Sequence, residues 1–484
     1  MPTPRRRLQA DGALRRVFAA IRTEHGVPTE FTAAQRAEAQ QAAAAPDVRD
    51  HLDLTDVPFV TIDPPGAMDL DQAMHLARTP RGYRVRYAIA DVAAFVAPGG
   101  ELDRAAHERV LTVYCPDVRV PLHPAALSEG AASLLPDQVR PAVVWDLELD
   151  HDAQVTRTGV ARALVRSRAR LAYPDLQRAL DAGQDAPLAP LLAEIGAARA
   201  RLERARGGVS LARPEQEVRE VPGVGFELEF RGPLPVEDHN AQISLLTGMA
   251  AARLMLDAGV GILRTLPAAT PDDVTRLRRR ALALGVAWPR THSYADVLAA
   301  VDARRPADAA FLSAATSLFR GAQWAPFRGQ PPATTVHGAI AAPYAHVTAP
   351  LRRLVDRYGL EIALAAAADR EPPAWVLERL DGLGEVMAGG ARRAGAVDRA
   401  CTDAVEVAVL ANHVGEVFSG VALDSRTVQI AAPAVVARTV DDDLPAGRRV
   451  RVRLEAADLQ ARTVTLRRVR REPRTTSDSG DAAP

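Results

Sequence analysis

Asp63, Asp69 and Asp71 lie within nine residues of one another, in Thr61-Ile62-Asp63-Pro64-Pro65-Gly66-Ala67-Met68-Asp69-Leu70-Asp71. Asp69 and Asp71 are two apart, so an extended backbone projects both from one face. Asp63 closes a short apolar strand, and the Pro-Pro-Gly turn after it can carry the chain back towards the other two. Like charges this crowded repel unless something cationic sits among them. A hard divalent ion such as Mg²⁺, which takes oxygen ligands, satisfies all three. A plain solvated turn is the competing reading, since Asp is common beside Pro and Gly. On this stretch alone the two are evenly matched.

The elements that must position these acids follow from periodicity. Tyr83 to Asp91, Val143 to Leu149 and Thr158 to Arg166 read as strands. Leu and Ala recur at helical spacing over 173–206, and helices dominate 238–320 and 350–412. The apolar run Leu245 to Leu263, interrupted by Arg253 and Asp257, reads as a buried core helix and not a membrane span. Residues 51–412 therefore form one large α+β domain. Residues 1–50 are helical, with Leu14, Val17, Phe18 and Ile21 at helical spacing and Thr32 as an N-cap. Arg5, Arg6, Arg7, Arg15 and Arg16 make this piece basic. It is either a small helix-turn-helix-like module touching phosphates or a helical cap on the main domain. Residues 413–472 hold five short strands, with arginines alternating from Arg449 to Arg453, and suggest a closed OB-type barrel. Residues 473–484 are rich in Pro, Thr, Ser, Asp and Gly and are expected to be disordered.

Across 484 residues, 60 basic and 60 acidic side chains balance, which excludes a uniformly basic nucleic-acid binder but not segregated patches. Every basic residue is arginine. Without lysine there is no P-loop lysine, Schiff base or lysine-AMP intermediate. Arginine still binds phosphate bidentately, although codon bias accounts for most of this set. Cys115 and Cys401, far apart and without a CxxC, argue against a zinc site or a disulfide framework and fit a reducing compartment. No apolar run follows Arg5–Arg7, so no signal peptide is expected. The expectation is a soluble, cytoplasmic monomer with no membrane segment.

The acidic stretch is followed by Ala88-Ile-Ala-Asp-Val-Ala-Ala-Phe-Val96, by Tyr114-Cys-Pro-Asp-Val-Arg-Val-Pro-Leu-His-Pro124, by Leu127-Ser-Glu-Gly-Ala-Ala-Ser-Leu-Leu-Pro136 and, much later, by Tyr344-Ala-His-Val-Thr-Ala-Pro-Leu-Arg-Arg-Leu-Val-Asp356. In this order and spacing they resemble the catalytic domain of the ribonuclease II / ribonuclease R (RNB) family of 3′-to-5′ exoribonucleases, over about 55–412. The C-terminal barrel is similar to the S1 domain such enzymes carry. The resemblance implies Mg²⁺ held by acidic side chains at the scissile phosphodiester, neutralising charge and activating a water. Asp63, Asp69 and Asp71 match the first three acidic positions, and Asp71 the one on which hydrolysis depends most. Arg352 matches the arginine on the phosphate, and Tyr114 the aromatic residue that stacks on the 3′-terminal bases. Asp398 falls near an acid used at the 3′-end ribose. Arg353 is carried as a further RNA contact, while His346 in the same segment is equally a structural histidine. The implied activity is processive hydrolysis of single-stranded RNA 3′ ends to nucleoside 5′-monophosphates.

Two departures stand out. Where the family has a fourth acid, this chain has Gln72, a neutral oxygen suited to orienting a water or ligating weakly. Weaker metal affinity or a preference for Mn²⁺ is expected, and the number of ions is open. Members also commonly begin with two cold-shock barrels, whereas only about 50 residues, read as helix, precede the main domain here. The basic helical module is then expected to share in guiding substrate, including structured RNA. The rival readings are a catalytically impaired RNA-binding protein of the same fold and, more distantly, a Mg²⁺-dependent phosphoesterase acting on small nucleotides.

Overall fold

A computed structural model describes residues 4–183, 188–210, 215–221 and 225–470. The tail expected to be disordered lies outside the described residues. Two helices come first, α1 (Pro4–Glu24) and α2 (Ala33–Ala44). Each buries its apolar residues against a different neighbour. Leu14, Phe18 and Ile21 of α1 enter one cluster, and Ala39 of α2 enters another. Thr32 caps α2 as expected, in a reciprocal box with Gln35.

The main domain is organised on a six-stranded sheet in the order β1-β8-β2-β3-β4-β7, with β7 also pairing β8. Its strands are β1 (Leu52–Asp53), β2 (Phe59–Asp63), β3 (Gln72–Thr79), β4 (Gly82–Ala90), β7 (Val139–Leu149) and β8 (Val155–Ala172). Between β4 and β7 lie α3 (Glu101–Arg109) and the short hairpin β5 (Val113–Tyr114) and β6 (Arg119–Val120). The first part of β8 pairs with β7 and its end with β2, so this 18-residue strand closes the sheet on itself. Alternating Tyr83, Val85, Tyr87 and Ile89 of β4 are buried with Trp145 and Leu147 of β7, which is what their period of two requires. The acidic turn is the connection between the neighbouring strands β2 and β3.

Next come α4 (Tyr173–Asp181), α5 (Leu188–Ala205) and a hairpin that the sequence reading missed, β9 (Glu215–Val221) and β10 (Gly225–Arg231). Phe226 of this hairpin meets Phe18 of α1 edge-on, at 5.2 Å. Helix α6 (Pro235–Ala258) and strand β11 (Val260–Thr265) correct the expected helix over Leu245–Leu263. Gly259, at φ +69°, ends the helix in the left-handed conformation, and the β-branched residues after it pair with β12 (Gln323–Arg328). A helical lobe of α7 (Pro271–Leu284), α8 (Tyr294–Ala300) and α9 (Pro306–Ala315) precedes β12. After β13 (Val336–His337) and β14 (Ala342–Pro343), α10 (Leu354–Ala367) and the 37-residue α11 (Ala374–Leu410) complete the domain.

The expected barrel is present, in the order β17-β16-β15-β18-β19: β15 (Val417–Ala422), β16 (Thr427–Ile430), β17 (Val435–Arg438), β18 (Arg449–Asp458) and β19 (Thr463–Arg468). A bridge between Thr439 and Leu466 draws its ends together. Gly420 is required at the bend, since a Cβ there would lie 2.8 Å from the Gln429 carbonyl oxygen. Arg449, Arg451 and Arg453 face solvent while Val450, Val452 and Leu454 are buried. Among the described residues, no helix is long and apolar enough to cross a membrane.

Glu406 of α11 ties these parts together. It accepts from Gln216 Nε2 at 2.7 Å and from the Val436 N–H at 2.8 Å. Burial nevertheless pushes its carboxyl up from 4.5 to about 7. A raised acid contributes stability that is full below about pH 4.5 and lost as pH climbs through about 7. Glu406→Gln should therefore raise the melting temperature at pH 8 and change it little at pH 4.5, as read by thermal melts at both values.

Candidate active site

The acidic turn is fixed from below. The Leu70 N–H donates to Ser133 Oγ (3.0 Å), Ser133 Oγ donates to the Met68 carbonyl (2.6 Å), and the Leu134 N–H donates to the Leu70 carbonyl (3.0 Å). Leu70 is fully buried, and the Ala90 N–H of β4 holds the Asp71 carbonyl at 2.9 Å. The backbone that carries Asp69 and Asp71 is therefore anchored on two sides.

A second segment, 344–353, is brought against this turn from far along the chain. The Leu351 N–H donates to Asp71 Oδ1 at 2.8 Å, and Arg352 Nε stands 3.0 Å from Asp71 Oδ2. The Arg352 carbonyl is held by the Thr112 N–H at 3.0 Å, just before β5. Arg353 turns inward and clamps Asp356 with Nε at 2.9 Å and Nη2 at 2.7 Å, while Asp356 also accepts from the Ala349 N–H at 2.6 Å. Arg353 thus shapes the loop, with its fork committed to a buried carboxylate. His346 is a structural histidine: it accepts from Trp324 Nε1 at 3.3 Å, and burial holds it well below its ordinary value.

The carboxylates differ in environment. Burial pushes Asp71 up to about 7, against the opposing pull of Arg352 and the Leu351 N–H. Asp63, at the end of β2, is pushed up to about 6 by burial, with Arg352 opposing and Asp69 adding to the rise. Its Oδ2 is buried and has no hydrogen-bond partner. Asp69 instead pairs with Arg119 of β6, which also pairs with Glu129. Arg352 is the cation whose charge reaches Asp63, Asp69 and Asp71 alike. Its side chain keeps 45% of its exposure, so its outer donors stay accessible. Tyr114, 52% exposed, stands opposite Arg119 in the β5–β6 ladder. Asp398 is exposed on α11 and makes none of the site's hydrogen bonds or ion pairs. Arg119, Tyr87 and Tyr173 were not singled out beforehand. Tyr173, pushed up to about 12 by burial and by Asp63, accepts from Asn240 Nδ2 at 2.8 Å.

Among the described residues, no group of three or more His, Cys, Asp or Glu side chains is arranged to hold an ion. The three aspartates are gathered around Arg352 and not around a ready-made cage. The residues suited to a cation are Asp63 and Asp71, two carboxylates that both feel Arg352 and are costly to bury as anions, Asp63 with an orphaned oxygen. Mg²⁺ is commonly held by one or two carboxylates, with waters and a substrate phosphate completing the shell.

Gln72 is engaged elsewhere. Its Nε2 donates to the Thr348 carbonyl, and its Oε1 accepts from Tyr87 Oη at 2.8 Å. It clamps the start of β3 to the loop that carries Arg352. A carboxylate cannot donate to a carbonyl, so Gln72→Glu should leave the Thr348 oxygen facing a charge. The expected cost is roughly 1–3 kcal/mol of stability. Thermal melts with and without Mg²⁺ check this. Recovery of the whole loss on adding Mg²⁺ would show instead that position 72 sits at an ion.

Residues 51–363 match the RNB domain, and residues 416–469 match the RNase II-type exonuclease C-terminal S1 domain. Ribonuclease R of Escherichia coli (strain K12) is 29% identical over 435 residues, 83% of this chain and 52% of that protein. The chain thus spans about half the length of the curated relatives it matches first. Among solved structures, Mycoplasma genitalium RNase R in complex with ribose methylated single-stranded RNA superposes with a TM-score of 0.82 at 18% identity, covering 93% of this chain and 77% of that one. Yeast Ssd1, a pseudonuclease, superposes with a TM-score of 0.66 at 15% identity, covering 89% and 54%. The RNB match takes in well over half of the chain, along with the acidic turn, Tyr114 and Arg352, and the chain belongs to the RNB family.

Proposed function

We propose that the chain is a hydrolytic 3′-to-5′ exoribonuclease that degrades single-stranded RNA to nucleoside 5′-monophosphates with the help of a divalent cation. The observation that carries this reading is that Arg352, half-exposed, lies among Asp71, which is buried, and Asp63, which is partly buried, two carboxylates whose burial disfavours the anion. A cation held by Asp63 and Asp71 would supply charge neutralisation and water activation at the scissile phosphate. Arg352 keeps its backbone and Nε fixed by Thr112 and Asp71 and offers its outer nitrogens to a phosphate oxygen. Tyr114 gives a stacking face that accepts any base, worth about 1–3 kcal/mol per base. Arg449, Arg451 and Arg453 line one exposed face of the barrel and attract the strand electrostatically.

The test uses a 5′-labelled and a 3′-labelled oligoribonucleotide with Mg²⁺ or Mn²⁺. A ladder shortening from the 3′ end, with 5′-monophosphates as product, is expected; few intermediates under enzyme-limited conditions would mark processive action. No shortening with either metal overturns the reading. One observation favours the alternative, RNA binding without hydrolysis: the pairing of Asp69 with Arg119 leaves two carboxylates, not three, for an ion. Binding without any 3′ shortening would decide for it. A 3′-tailed duplex in the same assay reports whether structured RNA is a substrate.

A further inference from the structure

The chain's two cysteines meet. Cys115 packs against the apolar cluster that holds Cys401, and the titration of each thiol is governed first by the other. Cys115 sits in the turn between β5 and β6, where its N–H donates to the Val118 carbonyl at 3.0 Å. Cys401 lies on α11 and is 2% exposed. Arg22 of α1 reaches the same spot, clamping Asp117 with Nη1 at 2.7 Å and Nη2 at 3.1 Å and bringing its charge to the Cys115 sulfur. Two distant segments, α1 and α11, thus converge on the tip of one hairpin. That hairpin carries Tyr114 beside Cys115, and Arg119, the partner of Asp69, on its return strand.

The two thiols are unequal. Cys115 is partly exposed and Cys401 is sealed. Cys401 and the Arg22 guanidinium bring Cys115 down to about 7, while Cys115 and burial push Cys401 up. Of the two, Cys115 ionises the more readily, and a reachable, readily ionised thiol next to a cation is what oxidants select.

We infer that Cys115 and Cys401 form an oxidation site, with a peroxide as oxidant, whose disulfide product locks the β5–β6 hairpin to α11. The Cys115 thiolate attacks a peroxide oxygen and the O–O bond breaks. This gives a sulfenic acid and, with one proton taken up, water or an alcohol. The Cys401 sulfur then attacks the sulfenic sulfur, the S–O bond breaks, and the Cys401 proton leaves with hydroxide as water. Two electrons pass from the thiols to the peroxide, and a dithiol reverses the bond. Bonded sulfurs stand about 2 Å apart, closer than unbonded thiols, so the hairpin tip is drawn towards α11 and takes Tyr114 with it. The consequence for RNA rests on the proposed exoribonuclease reading; the cross-link does not.

The test treats the purified protein with hydrogen peroxide, alkylates it and reads the mass. A loss of two hydrogens, a linked Cys115–Cys401 peptide pair and recovery with dithiothreitol are expected. Cys401→Ser should stop at a sulfenic acid that a cyclic 1,3-dione captures, and Cys115→Ser should resist the treatment. Oxidised wild type should bind a single-stranded oligoribonucleotide at least about fivefold more weakly, the scale of one lost stacking contact, with Cys401→Ser unchanged by peroxide. Free thiols persisting under excess peroxide, disulfides only between molecules, or equal RNA affinity in both redox states would overturn the inference. If the reduced protein binds no RNA, the exoribonuclease reading fails, while the mass result still judges the cross-link.

Discussion

Asp71→Asn should abolish 3′ shortening, by roughly a thousandfold or more, because several kcal/mol of charge stabilisation at the phosphate is lost. RNA affinity should move far less, since Asp71 is 3% exposed and presents little surface to a bound strand. The same substitution should stabilise the protein, which separates it from a folding defect. Asp71 has both oxygens occupied, one by the Leu351 N–H and one by Arg352. Burial still raises its carboxyl from 3.8 to about 7. A raised acid contributes stability that is full below the unfolded value of about 3.8 and lost as pH climbs through about 7. Protonated Asp and Asn are nearly isosteric, each with one donor and one acceptor. The melting temperatures of variant and wild type, measured in a metal chelator, should therefore coincide near pH 4 and diverge in favour of the variant up to about pH 7. A variant that is inactive and also less stable at pH 8 would contradict this account. Active sites commonly trade stability for function in this way.

That a mechanism can be assigned at all depends on what the sequence exposes. Strand β18, the first half of β4 and the second half of β7 were legible because each buries one face there, and alternation is the direct image of one-sided burial. The barrel was legible for the same reason. The end of α6 was not, because Gly259 and a single run of apolar residues look alike in a core helix and in a helix followed by a buried strand. Hairpin β9–β10 was passed over, since Glu215 to Val221 is charged along its length and its burial against α1 is a tertiary fact. The site divides similarly. Asp63, Asp69 and Asp71 are close in sequence and declare themselves by spacing. Leu351, which donates to Asp71, lies 280 residues away, so Arg352 could be placed only through motif order shared with a family. Arg119, Tyr87 and Tyr173 reach the site through sheet register and helix packing, which spacing does not encode. The approach of Cys115 to Cys401 is hidden for the same reason, since their separation in sequence argues only against a zinc site or a disulfide framework.

Arg352→Lys should cost at least about a hundredfold in kcat, the scale of losing one preorganised donor at developing charge, with a smaller change in RNA affinity. The charge is kept, so any loss reports geometry. Arg352 has Nε committed to Asp71 at 3.0 Å, and its carbonyl is fixed by the Thr112 N–H at 3.0 Å. Its two outer nitrogens make none of the hydrogen bonds among the described residues, which leaves their planar pair for a phosphate oxygen. A lysine ammonium is a single point. It can pair with Asp71 or reach a phosphate oxygen, but one atom does not hold both. If it stays with Asp71, the phosphate loses its donor and kcat falls while KM is nearly unchanged. If it leaves for the phosphate, Asp71 loses the neighbour that opposes its burial, and its carboxyl rises further above about 7. Activity that needs the anion would then recover only at higher pH. The two outcomes separate in a pH–rate profile: a uniform drop across pH 6 to 9 places the ammonium on Asp71, and an alkaline displacement of the rising limb places it on the phosphate. Arg352→Lys with wild-type kcat at every pH would show that the fork is not used on substrate, and would return Arg352 to the role of a surface cation pairing with a buried acid.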